Sequence, residues 1–225
     1  MNTHIIIVAA GTGSRFGADV PKQFCILAGR PVLMHAIERF RRYLPEAGIT
    51  LVVSESMHEY WLELCERYGF ESPDVVHGGA TRSDSVRNAV LSLGYEPDVI
   101  MVHDGARPLV AASVVAGVLA AMECEEVCGA IPAVAVTDSL RYGSDASVTK
   151  AVDRSLYHAV QTPQAFRGRA LIDAYAHTPS SFSDDASLME HCGHDRIVLT
   201  HGSPDNIKIT NPKDLAIAEV LMARV

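Results

Sequence analysis

Apolar residues recur along this chain in two alternating rhythms. Short unbroken runs, Ile5 to Ala9, Ile49 to Val53, Val75-Val76 and Val99 to Val102, are rich in β-branched side chains. That is the pattern of strands buried on both faces. Between the runs, apolar residues return every three or four positions, as on helices packed by one face. Val32, Leu33, Ala36, Ile37 and Phe40 do so through Tyr43, with Pro31 suited to the first helical position. Tyr60, Trp61, Leu64 and Cys65 do so after Ser56, a candidate cap; Val86, Ala89, Val90 and Leu93 follow Thr81 and Ser83, either of which can cap. Ala112 to Met122 reads as a further helix, and Val127 to Val136 is a long apolar stretch. Strand and helix alternating in this way predict an α/β fold, a mostly parallel sheet with helices on both faces.

The rhythm then changes. Val136 to Tyr142 and Val148 to Asp153 flank a Gly143-Ser144-Asp145 turn and read as a β-hairpin. Its polar, alternating character predicts an arm that leaves the globule, over about 136–153. Such an arm is a liability unless covered, and a partner subunit is the natural cover. Helices are expected from about Arg169 to Ala176 and after Ser183-Asp184-Asp185. Arg196 to Thr200 is a late strand, and Asn206 to Thr210 another short one. Asn211 caps a last helix, with Pro212 first, Asp214 in its first turn, and Leu215, Ala218 and Met222 inward. With no repeat or linker, one domain over 1–225 is expected.

Bulk properties narrow the class. Of 225 residues, 48% are hydrophobic and 20% charged, with a net charge of −8. That balance argues against a general nucleic-acid or membrane-surface binder, but allows a local cationic pocket for a phosphorylated substrate. No apolar run approaches the roughly 18 residues of a membrane span, and no charged segment precedes the first run as in a signal peptide. Five scattered cysteines fit reduced thiols in a cytoplasm. Cys124 and Cys128 lack a second pair at zinc spacing, and His191-Cys192-Gly193-His194 lacks nearby partner ligands.

Candidate chemistry begins where the first strand stops. Ala9-Ala10-Gly11-Thr12-Gly13-Ser14-Arg15 is followed by Pro21-Lys22-Gln23-Phe24. Small residues there expose backbone N–H donors, and two cations stand beyond them, a good arrangement for a polyphosphate. The spacing is neither that of a dinucleotide-binding turn nor that of a P-loop, where Lys follows Gly directly. A second glycine turn, His77-Gly78-Gly79-Ala80-Thr81-Arg82, opens a helix whose N-terminus suits an anion or a polar base edge. The fourth strand runs into His103-Asp104-Gly105-Ala106-Arg107-Pro108, which puts a carboxylate at a strand's carboxyl end, where ligands of open α/β sheets sit. Asp104 is thus a candidate for Mg²⁺ or a substrate hydroxyl, its alternative role being to cap the turn.

These motifs, with Val152-Asp153-Arg154, Gln161-Thr162-Pro163-Gln164-Ala165-Phe166 and Asn206-Ile207-Lys208-Ile209-Thr210, resemble the 2-C-methyl-D-erythritol 4-phosphate cytidylyltransferase family along almost the whole chain. The resemblance implies a three-layer Rossmann-like nucleotidyltransferase fold with a projecting β-hairpin arm. It implies transfer of CMP from CTP to methylerythritol phosphate, with Mg²⁺, in a cytoplasmic homodimer joined through the arm. Ala9, Ala10, Gly11, Gly13, Gly79 and Ser85 would meet the nucleotide; Arg15 and Lys22 would grip its phosphates; Arg82 would fix the nucleotide loop. Asp104 and Gly105 would meet the ribose, metal or polyol. Lys208 and Arg154 would hold the acceptor phosphate, Arg154 from the second subunit, with Arg107, Ser139 and Ser183 on the acceptor side. Ser139 and Ser183 stand where the family often has Thr, and Gly105 where Ala is common. The acceptor phosphate, with a second pKa near 6, is largely a dianion at pH 7 and needs no protein base, in keeping with the absence of a Ser-His-Asp or Cys-His set. Two rival readings are transfer to ribitol 5-phosphate and a nicotinamide-dependent oxidoreductase using Glu55; the glycine spacing opposes the second. A catalytically silent dimeric scaffold is a third.

Overall fold

The computed structural model describes residues 1–11, 20–144, 148–178 and 181–224. In chain order, β1 (Thr3–Val8) leads to a small hairpin, β2 (Ile26–Leu27) and β3 (Arg30–Pro31), and then α1 (Val32–Tyr43). Next come β4 (Gly48–Val53), α2 (His58–Tyr68), β5 (Asp74–His77), α3 (Arg82–Ser92), β6 (Val99–Asp104), α4 (Ala112–Ala121) and β7 (Gly129–Ala135). The arm carries β8 (Arg141–Tyr142) and β9 (Lys150–Ala151). The chain closes with β10 (His158–Val160), β11 (Gln164–Arg167), α5 (Gly168–His177), α6 (Asp185–His191), β12 (Ile197–His201) and α7 (Pro212–Met222).

The main sheet runs β12, β7, β11, β6, β1, β4, β5. Pairings β6–β1, β1–β4, β4–β5 and β7–β12 are parallel, and β11 enters antiparallel between β6 and β7. β10 continues the line of β11 along the same side of β7.

Strand alternation sorts the side chains into three layers. Ile5, Ile7, Leu51, Val53 and Met101 face α1, α2 and α4, through Leu33, Ile37, Phe40, Trp61, Leu64 and Val114. Ile6, Val52, Ile100 and Val102 face α3, α5 and α6, through Val86, Val90, Leu171, Tyr175 and Met189. With both faces covered, the continuous apolar runs of the central strands are explained. At the far end of β1, buried His4 bonds Tyr95 (Nδ1 to Oη, 2.7 Å) and Thr50 (Nε2 to Oγ1, 2.9 Å). Burial pushes its pKa down to about 4.

Four expectations are corrected. Asn206 to Thr210 is not a strand: it crosses the carboxyl ends of the sheet, held by Ile209 N–H on the Ala106 carbonyl (2.8 Å) and by the fully buried Asn206. Ser56 does not cap α2. It lies inside a 3-10 turn, Glu55–Met57, with its hydroxyl 3.3 Å from that of Ser54. Pro31 sits one residue before α1 and pairs with Ile26 instead. Among the described residues the arm's ladder covers Arg141–Tyr142 and Lys150–Ala151, extended by Val152 N–H on the Leu140 carbonyl (3.3 Å), and is shorter than its alternation suggests. A two-stranded ribbon without a packed face sustains only a short ladder.

Candidate active site

A cavity of about 610 Å³ opens at the carboxyl ends of β1, β4, β5 and β6. Its floor is Val8, Ala9, Ala10 and Gly11; its walls are Lys22 and Gln23, Ser54, the segment Gly79 to Arg82 with Ser85, and Asp104, Ala106 and Lys208. Of the residues singled out from sequence, it brings together Ala9, Ala10, Gly11, Lys22, Gly79, Arg82, Ser85, Asp104 and Lys208.

Gln23 makes the first wall. Buried at 3% exposure, it donates from Nε2 to the carbonyls of Ala9 (2.6 Å) and Gly11 (2.9 Å). It thereby ties the segment bearing Lys22 to the turn after β1. The second wall is a capped helix start. Thr81 Oγ1 accepts from Asp84 N–H (3.0 Å) while Asp84 Oδ2 accepts from Thr81 N–H (3.1 Å), a capping box. Gly79 N–H donates to Ser85 Oγ (3.2 Å), whose hydroxyl donates to the Thr81 carbonyl (2.9 Å). A Cβ on Gly78 would lie 2.4 Å from the Ala10 Cβ, and one on Gly79 2.4 Å from the Asp84 Cβ. The two glycines are there because backbone must pass this close to its neighbours.

Asp104 is the electrostatic hub. Lys208 Nζ lies 2.8 Å from its Oδ2, Arg107 Nε 3.6 Å from Oδ2, and Arg82 Nε 3.5 Å from Oδ1. Burial opposes its charge, but Lys208, Arg82 and Arg107 together hold the carboxyl well below the usual carboxylate range. Arg82 is gripped from behind as well: its Nη2 donates to the fully buried Asp185 (2.8 Å), which also accepts from the Tyr175 hydroxyl. Burial works against the Arg82 charge, yet Asp185 and Asp104 outweigh it and raise its pKa further. Arg82 Nη1 is buried and has no protein partner among the described residues, while the residue faces the cavity.

Other named residues stand elsewhere. Gly105 does not line the cavity; a Cβ there would meet Leu33 Cδ1 at 2.9 Å and Ala9 Cβ at 3.2 Å, so its role here is close packing behind the floor. Arg107 braces the site from the side, donating from Nη1 to the Asn206 carbonyl (2.7 Å). Ser183 is exposed beside the start of α6, its hydroxyl 3.2 Å from that of Ser187. Ser139 and Arg154 are exposed on the arm, where Arg154 bonds the Thr137 carbonyl, and neither reaches the cavity of its own chain. Gly13 and Arg15 lie outside the described residues. Among the described residues no group of three or more His, Cys, Asp or Glu could hold a metal ion, and no helix is long and apolar enough to cross a membrane. Gln23, Asp185 and Asn206 received no role from sequence. Gln23 was readable as a motif member, whereas the partners of Asp185 and Asn206 are too distant along the chain to see.

Sheet and cavity together define a nucleotidyltransferase-class α/β enzyme: glycine turns at strand ends, cations from three separate segments and one carboxylate among them. The model of the family 2-C-methyl-D-erythritol 4-phosphate cytidylyltransferase (IspD) matches residues 3–224. A protein of that name from Porphyromonas gingivalis is 45% identical over 225 residues, covering 97% of each chain. One from Azobacteroides pseudotrichonymphae is 42% identical over 221 residues, covering 97% of this chain and 98% of its own. The crystal structure of the Thermus thermophilus enzyme of that name superposes with a TM-score of 0.75 at 29% identity, covering 100% of both chains. The chain belongs to the 2-C-methyl-D-erythritol 4-phosphate cytidylyltransferase family.

Proposed function

We propose that this protein transfers the cytidylyl group of CTP to 2-C-methyl-D-erythritol 4-phosphate, releasing pyrophosphate, in non-mevalonate isoprenoid biosynthesis. The observation that carries the reading is the convergence of Lys22, Arg82 and Lys208 on one cavity beneath the glycine turn, in a chain of this family. The acceptor phosphate attacks the α-phosphorus directly, and the Pα–O bond to pyrophosphate breaks. The acceptor is already a nucleophile, so the protein's task is to bring two polyanions together and hold the charge that develops at phosphorus.

The turn after β1 and the segment Gly79 to Ser85 receive the nucleotide, and the motif Ala9 to Arg15 assigns Gly13 to the same ligand. Lys22 supplies a point charge to the phosphates; Arg15, which suits bidentate phosphate contact, serves the same oxygens. Arg82, locked between Asp104 and Asp185, lines the cavity and holds the nucleotide loop in place. Lys208 receives the acceptor phosphate. Asp104 is the one carboxylate among the described residues that line the cavity. A lone carboxylate fits a Mg²⁺ ion held mainly by phosphate oxygens, and Asp104 would be its protein ligand. When bound, the ion neutralises phosphate charge and orients the leaving group.

The site is completed by a second copy of the chain, joined through the arm. Tyr142, Leu156, Tyr157 and Val160 expose large apolar side chains on and beside the arm, a surface suited to burial. Arg154 and Ser139 of one chain would then reach the cavity of the other. Five free cysteines suit a reducing cytoplasm.

The test is pyrophosphate release with CTP and Mg²⁺, comparing methylerythritol 4-phosphate with ribitol 5-phosphate. Release with the first alone is expected. Release with the second alone would keep the nucleotide site and overturn the acceptor.

A further inference from the structure

The segment Gln161-Thr162 lies between β10 and β11, both of which run antiparallel along β7. Val160 pairs with Ala133 and Ala165 with Ala130, so five steps on one strand face three on the other. The surplus residues form a bulge, a device that re-aims side chains at the end of a ladder. Both are buried, at 7% and 5% exposure, and both turn their polar atoms toward the cavity's last wall.

Gln161 grips the backbone of Ser203 twice. Its Nε2 donates to the Ser203 carbonyl (2.8 Å), and its Oε1 accepts from the Ser203 N–H (3.1 Å). Thr162 works in two directions. Its carbonyl accepts from Asn206 Nδ2 (2.9 Å), two residues before Lys208. Its hydroxyl oxygen accepts from the Asp104 N–H (3.0 Å) and lies 3.1 Å from His103 Nδ1. The His103 tautomer follows from its other nitrogen: Nε2 lies 3.0 Å from the Arg107 carbonyl, which only accepts, so Nε2 carries the proton and Nδ1 accepts from Thr162. Every bond of the Thr162 hydroxyl is thus directed. The loop from Ser203 to Ile209 has no ladder of its own, and these contacts hold it against the sheet.

We propose that Gln161 and Thr162 are positioning residues that latch the Lys208 loop onto Asp104. The latch sets where the Lys208 ammonium meets the acceptor phosphate. The inference rests on the acceptor-binding role given to Lys208 above. Neither residue lines the cavity; they act through Lys208 and the Asp104 backbone.

The experiment combines kinetics with amide hydrogen exchange on the full-length protein. Gln161→Leu and Thr162→Val are expected to lower kcat/KM for the acceptor by about 10- to 100-fold, the scale of an ångström-level misplacement. Their affinity for CTP is expected to stay within about twofold of wild type, since neither residue lines the nucleotide cavity. Thr162→Ser, which keeps the hydroxyl, restores most of the loss. In a Lys208→Ala background Gln161→Leu adds less than about twofold, because the group it positions is gone. Exchange across residues 203–209 speeds up in Gln161→Leu, a readout independent of turnover. Losses that multiply in the Lys208→Ala background, CTP affinity that falls in step, or unchanged exchange would each overturn the latch. If Thr162→Val does not fold, the Gln161→Leu arms decide alone. Wild-type protein that releases no pyrophosphate from CTP and methylerythritol phosphate would sink the functional reading instead, and the exchange result would still judge the latch.

Discussion

Lys22 and Arg15 are the residues to which the proposed reaction assigns the nucleotide phosphates. Lys22→Ala or Arg15→Ala is expected to lower turnover by about 10²–10³, the scale of losing one transition-state donor, measured as pyrophosphate release at saturating CTP. Single residues also set the acid response. Asp104 has its folded pKa depressed, so its ionised form stabilises the fold above the ordinary carboxylate range, and that contribution is lost only as pH falls through the lower folded value. His103 and His4 act higher on the scale. Burial holds both near 4 against an ordinary 6.5, so between those values the unfolded chain binds protons that the folded chain does not. Stability therefore falls as pH drops from about 6.5 to 4. Fully buried His103 alone is expected to cost about 2 kcal/mol by about pH 5, and denaturant unfolding at that pH and at neutral pH would measure it. Asp104 and Lys22 were legible in the sequence because strand end and glycine turn are local signals. Asp185 was not, because its meaning lies in Arg82, 103 residues away.

Among the elements, α3 is the one whose start forms a wall of the cavity; its sequence left the cap between Thr81 and Ser83, and the structure gives it to Thr81 with Asp84. Thr81→Ala removes half of the capping box and is expected to destabilise the protein by about 1 kcal/mol in denaturant unfolding, with a weaker grip on CTP by calorimetry. The segment Asn206 to Thr210 shows why pattern misleads. Ile207 and Ile209 alternate with polar residues as in a half-buried strand. The alternation is real, with Ile209 fully buried, but Asn206 and Lys208 answer to Thr162 and Asp104 rather than to a neighbouring strand. Periodicity records which side chains turn inward, not whether a neighbouring strand is present. The arm misled in the opposite sense, since among the described residues a long alternating sequence holds only a short ladder around Arg141–Tyr142 and Lys150–Ala151.

Taken as a whole, the molecule carries its cavity and its Arg154 on different parts of the chain, one at the sheet and one beside the exposed arm. Tyr142→Asp combined with Leu156→Asp is expected to shift sedimentation toward a monomer and to lower transfer activity while leaving CTP binding in place. An unchanged dimer would put the contact elsewhere. The layered architecture was readable because buried strands and one-sided helices alternate so regularly. The antiparallel entry of β11 was not, since it depends on pairing between segments distant in sequence. The ion pair between Lys208 and Asp104 also bears on how the enzyme lets go. Bare cations facing a polyanionic product would hold it and slow each cycle. Here the resting site keeps an anion of its own 2.8 Å from the lysine, so departure is an exchange of one counterion for another. Asp104→Asn is accordingly expected to retain the cytidylylated product, whose acceptor phosphate meets Lys208, more tightly than the parent enzyme, which product-inhibition kinetics would measure.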